Sequence, residues 1–424
     1  MPSSIRIAIT GSGLAGASLL HALLKFSHLD VHIFESAPAF KEAGMAIGLA
    51  RNAQAALDLI GPSASKFLQR AGAVPMRGVR FMVAQGEGQG ELVDEVDDIA
   101  SGRRLTSIVH RAALLQELLA DVPRERLHAS KKLTTVDRAA NAVTLHFTDG
   151  TIHECDILIG ADGIHSAVRK LILGENDPDA YPRNTGAWIV MTLQPYADAL
   201  AKIGEEFIDV GDPRGYSWLG HNSYMLHNLL SNGELVQLVI GSNDKLEAES
   251  SNRWRRAVSA DEIKKLYQNW PPHLNRAIKE LLCDVPEQEA IYLWEHPPAR
   301  TYVAGPLCVM GDAAHATTPW QGSGGGMSIE DSLILSNLLG RAKNPTEALT
   351  ALKVYDQVRR PRTQRIVESS RVTGAILTGS GEVTLNLKAS EKLLRRWDFI
   401  LDIDMRKHYN DAIEMMEREL GRSG

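Results

Sequence analysis

The hydrophobic pattern begins with Ile5 to Ile9, a short β-branched run of the kind that fills a buried parallel strand. A glycine-rich turn follows, and Leu14 to Phe26 continue as a helix with few breakers. Val31 to Phe34 is a second buried strand, ending in Glu35. A βαβ unit therefore opens the chain. Gly44 to Leu49 reads as a loop and short strand, and Asn52 to Leu59 as a helix stopped by Gly61-Pro62. Residues 76 to 110 have strand texture. His110 to Ala120 has the pattern of an amphipathic helix, with Leu114, Leu115, Leu118 and Leu119 on one face and Arg111 in the first turn. Val143 to Phe147 and Thr151 to Glu154 flank Asp149-Gly150, which predicts a hairpin. Ile157 to Ile159 predicts another buried strand.

From about Arg183 to Pro298 the texture changes. Strand-like runs alternate with Gly, Asn and Pro breaks, as in Trp218 to Val239, and helical pieces follow at Ala260 to Trp270 and Leu274 to Leu282. The run Arg253-Trp254-Arg255-Arg256 reads as a solvated helix start. Buried-strand texture returns at Leu307 to Met310, a helix is expected from Ser328 to Arg341, and the remainder from about Pro345 reads largely as helices. No internal repeat or low-complexity linker interrupts the chain.

Three glycine-marked segments punctuate this pattern. The first is Gly11-Ser12-Gly13-Leu14-Ala15-Gly16. Gly11 permits a tight turn, Gly13 lets backbone approach a pyrophosphate, and Gly16 lets helix and strand pack closely. The helix N-terminus then presents N–H groups and a partial positive charge. Glu35, at the end of the second strand, is placed to accept from ribose hydroxyls. The second segment is Gly160-Ala161-Asp162-Gly163, followed by His165-Ser166-Ala167-Val168-Arg169. The third is Gly311-Asp312-Ala313-Ala314-His315, followed by Pro319 and Gly322-Ser323-Gly324-Gly325-Gly326. A strand ending in Gly311-Asp312 puts a carboxylate within reach of a sugar-alcohol hydroxyl. The glycine stretch is either backbone lying flat against a ring system or a surface loop.

Composition narrows the setting. A formal net charge of -6 over 424 residues, with both signs scattered, argues against a nucleic-acid or anionic-membrane partner. No stretch is apolar for long enough to span a bilayer. The residues Met1 to Arg6 lack the layout of a signal peptide. Three cysteines, Cys155, Cys283 and Cys308, show no metal or CxxC spacing and fit a reducing, cytoplasmic compartment.

In their order and spacing these motifs resemble the class A flavoprotein aromatic hydroxylases, the family of salicylate hydroxylase and para-hydroxybenzoate hydroxylase. The likeness runs from Ile5 to about Arg371 and is weakest in the middle lobe. Gly311 to Pro319, and Gln321 to Gly326 with Glu330-Asp331 behind them, are similar to the salicylate hydroxylase branch. The resemblance implies an α/β fold. Its parts are a Rossmann-like FAD-binding domain (residues 1–75, 104–182 and 299–344), a β-sheet substrate domain (76–103 and 183–298) and a helical C-terminal segment (345–424). It implies FAD as cofactor, NADH or NADPH as co-substrate, and a monomer or homodimer.

By the same resemblance, Gly11, Gly13, Leu14, Ala15, Gly16 and Glu35 hold the ADP half of FAD. Gly48 approaches the cofactor by backbone, and Arg111 reaches phosphate or ribityl unless it is a helix-surface charge. Asp312 binds ribityl, and Gly324, Gly325 and Gly326 lie near the flavin ring. Asp162-Gly163 touches FAD and the nicotinamide donor, unless Asp162 is an N-cap. His315 is expected to be structural. Trp320 stands where related salicylate hydroxylases often carry His. It cannot take a proton, so it either stacks on an aromatic substrate or packs over the flavin. Family members often show an aromatic–Arg pair after a Ser/Thr-Gly in the middle lobe. Here Thr185-Gly186-Ala187-Trp188-Ile189-Val190 has no Arg, and Arg183 upstream is the candidate substitute. Tyr216, with Trp218, Tyr224 and His227, is a further candidate to line the pocket.

The resemblance implies hydroxylation of an aromatic substrate, a salicylate-like phenol, with NAD(P)H and O2 through a flavin C4a-hydroperoxide. An indole or heteroaromatic oxidation in secondary metabolism is the alternative. A halogenase is disfavoured because no Trp-x-Trp-x-Ile-Pro segment occurs. A flavin dehydrogenase and a non-catalytic flavin-binding regulator are the readings from other classes.

Overall fold

The computed structural model describes residues 4–41, 46–61, 64–139, 142–244, 252–378 and 393–422. Pro62, expected to stop a helix, and Gly44, expected in a loop, lie outside them. β1 (Ile5–Thr10) leads through α1 (Leu14–Leu23) to β2 (Leu29–Phe34). Then come β3 (Ala46–Leu49), α2 (Arg51–Ile60), α3 (Ala64–Arg70) and β4 (Val74–Met76). β5 (Gly78–Val83), β6 (Leu92–Asp97), β7 (Thr106–His110), α4 (Arg111–Leu119) and β8 (Leu127–His128) follow. A meander of β9 (Leu133–Arg138), β10 (Val143–Phe147) and β11 (Ile152–Cys155) precedes β12 (Ile157–Gly160) and α5 (Ala167–Leu173).

The middle of the chain forms β13 (Arg183–Pro195), α6 (Tyr196–Ile203), β14 (Arg214–Gly220), β15 (Ser223–Leu230) and β16 (Leu235–Asn243). It continues with β17 (Arg255–Ser259), α7 (Ala260–Leu266), α8 (Pro272–Leu281) and β18 (Glu287–Glu295). The last part holds β19 (Val303–Ala304), β20 (Leu307–Val309), α9 (Asp312–His315) and α10 (Gly324–Leu339). It ends with α11 (Pro345–Leu377), α12 (Asp398–Leu401) and α13 (Met405–Glu419). No helix among the described residues is long and apolar enough to cross a membrane.

Two large sheets organise these elements. The first has the order β19-β20-β12-β1-β2-β8. Its strands run parallel from β20 to β8, with β19 antiparallel at the edge. The continuous apolar runs of β1 and β12 suit strands covered on both faces. Ile7, Ile9, Leu158 and Ile159 are wholly buried in one core with Leu335 and Leu338 of α10. The second sheet has the order β17-β18-β13-β16-β15-β14-β5-β6. Its residues alternate between two faces. Trp188, Trp218, Met225, Leu238 and Ile240 pack under α6, α7 and α8. Ile189, Val239, Leu293, Leu219 and Tyr224 face the other way and meet Trp320.

Two expectations change. The Arg253–Arg256 run enters strand β17, where Arg255 pairs with Ile291 and the Arg256 guanidinium bonds Glu262 at 2.7 Å. Cross-strand pairing overrides its charge pattern. The helix expected from Ser328 starts at Gly324, so the glycines form its first turn. Glycine is a poor helix former, and packing against α1 holds it helical here.

The meander packs on the face of β2 that carries His32 and Phe34. His32 Nδ1 lies 2.9 Å from His128 Nε2, and Phe34 stacks on His128 and Phe147 with centroids 4.7 and 4.9 Å apart. Burial lowers all three histidines of this cluster, His153 to about 4 from an ordinary 6.5. The unfolded chain then binds more protons than the folded one between those values, so folding is favoured above about 6.5 and loses stability as the pH falls through about 4. Melting temperature measured across that window is expected to fall with acidity. His153→Gln should flatten the slope, and an unchanged slope would refute the assignment.

Candidate active site

The turn after β1 is shaped by contact with the second glycine segment. Gly11 has φ +92°, and a Cβ there would overlap the Ala161 carbonyl and lie 2.8 Å from Asp162 Cα. A Cβ on Gly16 would overlap the Gly11 carbonyl and lie 3.2 Å from Ile33 Cδ1. Gly13 is the N-cap of α1. No side chain caps this helix, and its first turn holds no acid. The Glu35 carboxylate accepts from Ser12 N at 2.9 Å, Ser12 Oγ at 2.7 Å and Ala37 N at 2.8 Å. Burial pushes its pKa up, but these donors outweigh burial and hold it below the usual range.

The third segment closes on the first. Gly311 has φ +56°, and a Cβ there would lie 2.6 Å from Ala15 Cβ and 3.1 Å from Ser328 Oγ. A Cβ on Gly325 would lie 3.3 Å from Leu14 Cδ2 and 3.5 Å from Ile47 Cδ1, beside Gly48 on β3. A Cβ on Gly326 would approach Ala53, and among the described residues one on Gly324 would meet only Thr317, at 3.6 Å. Ser18 Oγ and Ser332 Oγ meet at 2.7 Å between α1 and α10. Two helices with uncapped, acid-free first turns thus begin side by side. Such ends favour anions and close approach of a flat group. Asp312 is exposed at the head of α9. Arg111 opens α4, directly after the strand that pairs with Gly48.

Asp162 is spent within the protein. Its carboxylate accepts from Ser166 Oγ at 2.5 Å and Ala167 N at 2.8 Å, at the start of α5. Burial raises its pKa despite these bonds. The surface this segment offers is Gly163, with φ +74° and open space around it.

The Arg169 side chain is buried and reaches the third segment. It donates to the carbonyls of Ala314 at 2.6 Å, Ala313 at 3.3 Å, Asp179 at 2.8 and 3.0 Å and Pro297 at 3.0 Å. Burial lowers its pKa to about 10, which leaves it charged. His315 sits in the scaffold behind α10, its Nε2 2.6 Å from Asp331. Asp331 also accepts from Gly311 N at 3.0 Å and Arg359 Nε at 2.8 Å. Glu330 takes Asn52 Nδ2 and Arg359 Nη1, both at 2.7 Å.

Trp320 lies on the short turn Pro319–Gln321 and bridges the two apolar clusters on the near face of the second sheet. The Tyr224 ring meets it edge-on at 5.3 Å. Burial pushes the Tyr224 phenol up to about 12, and Ser217 Oγ donates to it at 3.1 Å. Tyr216 and Trp218 face the opposite side, where Tyr216 stacks on His227 at 5.2 Å in the core below α6 and α8. Among the four rings weighed from the sequence, Tyr224 alone faces Trp320. Arg183 is engaged by the buried Glu295, with Nε 2.9 Å from its carboxylate. Sequence reasoning missed the packing of Leu226 in the clusters that hold Trp320, the bond from Gly311 N to Asp331, and the close contact of Gly374 with the Trp320 ring. A lone glycine inside a long helix was a signal for the last.

A dinucleotide turn, a facing glycine-led helix and an apolar sheet define a flavoprotein of the aromatic-hydroxylase architecture. The chain belongs to the FAD binding domain family, whose model matches residues 4–370. It is 34% identical to a 6-methylsalicylate 1-monooxygenase of Aspergillus terreus, over 97% of this chain and 92% of that protein. It is 31% identical to a salicylate hydroxylase of Pseudomonas putida, covering 95% and 94%. A solved salicylate hydroxylase substrate complex superposes with a TM-score of 0.83 at 25% identity, covering 97% and 98%.

Gly11→Ala and Gly163→Ala separate strain from collision. Both positions have positive φ, but only Gly11 has backbone in the way. Gly163→Ala should cost about 1 kcal/mol in chemical denaturation, and Gly11→Ala about 3 kcal/mol or more with loss of bound FAD. Equal losses would refute the packing assigned to the turn.

Proposed function

We propose that this FAD-dependent monooxygenase uses NAD(P)H and O2 to hydroxylate a phenolic ring of the salicylate type. The observation that carries the substrate reading is the apolar floor of Ile189, Val239, Leu293, Leu219 and Leu226 under Trp320, beside the glycine-led turn of α10. The named activities of the salicylate-oxidising relatives support it.

In this reading the first turn of α1 holds the pyrophosphate of FAD and Glu35 the adenosine ribose. Asp312 takes the ribityl hydroxyls, with Arg111 and the backbone of Gly48 beside it. The backbone of Gly324, Gly325 and Gly326 supports the flavin ring, with partial positive charge at the helix end. Bound FAD supplies the hydride acceptor and the site of oxygen activation. The floor excludes water and orients the ring, and Trp320 stacks on it. Tyr224, with its phenol held up to about 12, stays protonated at neutral pH and donates rather than takes a proton. Neither it nor Trp320 serves as a base near neutrality. Gly163, open to solvent, fits a visiting nicotinamide.

The proposal divides the chain as the sequence suggested, into an FAD-binding part (1–75, 104–182 and 299–344), a substrate sheet (76–103 and 183–298) and a helical end (345–424). It includes a cytoplasmic setting, in keeping with the free thiols Cys155, Cys283 and Cys308, and a monomer or homodimer.

The test uses FAD-loaded protein with salicylate, 6-methylsalicylate and neutral phenols. The expected result is ring-stimulated NAD(P)H oxidation with O2 uptake and a matching yield of hydroxylated product. Turnover without O2, or peroxide with no product from any ring, would overturn it. Glu35→Gln and Asp312→Ala should each weaken FAD retention by about tenfold, as expected for loss of a charge-assisted hydrogen bond.

A further inference from the structure

Helix α11 contains one glycine, Gly374, in a buried stretch near its end. A Cβ there would lie 2.8 Å from Trp320 Cε2 and closer still to Nε1 and Cδ1. The indole therefore lies against the bare backbone of the helix. The turn that carries it is fastened to the same helix, where Ser370 Oγ donates to the Thr318 carbonyl at 2.8 Å. It is fastened again where Gln321 Nε2 donates to the Arg396 carbonyl at 3.1 Å. The Tyr224 ring packs against the indole in a T-shaped contact with centroids 5.3 Å apart, and Leu226 belongs to the same apolar cluster. With the turn pinned, any side chain on Gly374 drives the indole toward the sheet floor.

We propose that Gly374 is a specificity-determining residue. By lending its missing side chain to Trp320, it sets the size of ring the floor accepts. Glycine inside a helix is unfavourable against alanine, and the contact with the indole supplies the reason for keeping it. A histidine in place of Trp320 would not fill the same gap, so the two positions form one unit. Gly374 acts through Trp320 and touches no substrate itself, so it is a positioning residue. The inference rests on the proposed aromatic hydroxylation for its substrate readout, and on packing alone for its second readout.

The experiment compares the holoenzyme with Gly374→Ala, Trp320→His and the double variant. The probes are salicylate and 1-hydroxy-2-naphthoate, one ring against two. Ring binding is read from the perturbation of flavin absorbance, turnover from kcat and KM, and packing from melting of the FAD-free proteins. Gly374→Ala should weaken the two-ring probe relative to salicylate by about tenfold or more, with kcat on salicylate within about threefold. Trp320→His should shift the preference toward two rings. The double variant should regain most of the loss, because the crowding partner is gone. Melting of the FAD-free proteins should fall in Gly374→Ala and recover in the double variant.

Wild-type binding of both probes by Gly374→Ala would overturn the proposal, as would a double variant as impaired as Gly374→Ala. If Gly374→Ala does not fold, a folded double variant supports the crowding and an equally unfolded one refutes it. A wild-type enzyme that hydroxylates neither probe would count against the proposed function and against ring selection by Gly374. The melting comparison would still judge the contact.

Discussion

The carboxylate of Asp331 is the point from which the site is hung. It lies in a helix but bonds outward, to the backbone N–H of Gly311, to His315 and to Arg359. The side chains of Asp331, Glu330 and Arg359 have no solvent exposure. Burial would push Asp331 toward the neutral acid, yet its contacts with His315 and the Arg359 guanidinium keep its pKa below the ordinary value. A buried pair of this kind is not strong evidence for stability, but losing one partner typically costs about 3–5 kcal/mol because the other charge is stranded. The geometric result matters more. The bond ties the strand end that precedes Asp312 to the helix that bears Gly325.

The second constraint is close approach. Gly11, Gly16 and Gly311 each occupy a place where a methyl group would meet backbone or another Cβ. These contacts weld three distant segments into one wall. This part of the fold was legible, because glycine spacing after a buried strand has few physical explanations. The βαβ entry, the Asp149-Gly150 hairpin and the return to a buried strand at Leu307 were legible for the same reason: each is a local pattern with a local cause.

What depended on partners was not legible. Alternation in β14 says that Tyr216 and Ser217 point opposite ways, but not which face meets Trp320. The register does: Leu219 pairs with Tyr224 and Tyr216 with His227. Tyr224 is thus near Trp320 and Tyr216 is not. Asp162 illustrates a second limit. An acid after a glycine strand suits a ligand and a helix cap equally well; the N-cap of α5 is Ser166, and Asp162 accepts from its hydroxyl and from Ala167 N, which ties the side chain to the start of that helix. The Arg253–Arg256 run looked helical on charge alone until pairing with β18 made it a strand. The three glycines from Gly324 were expected ahead of the helix and not in it, because propensity disfavours them there. Only the packing of α10 on α1 explains them.

Arg169 holds its neighbours without any acid. Its guanidinium is shared among peptide oxygens of four residues, so the joint between α5 and α9 has no proton to lose or gain on its acceptor side. Carboxylate clamps dissolve in acid and histidine clusters repel, but a knot of dipoles around one permanent cation keeps its grip. Lysine would keep the charge and lose the planar fork that reaches several carbonyls at once. The molecule therefore carries two kinds of seam. The one beneath β2 loses stability with acidity, and the one behind Gly160 answers only to shape.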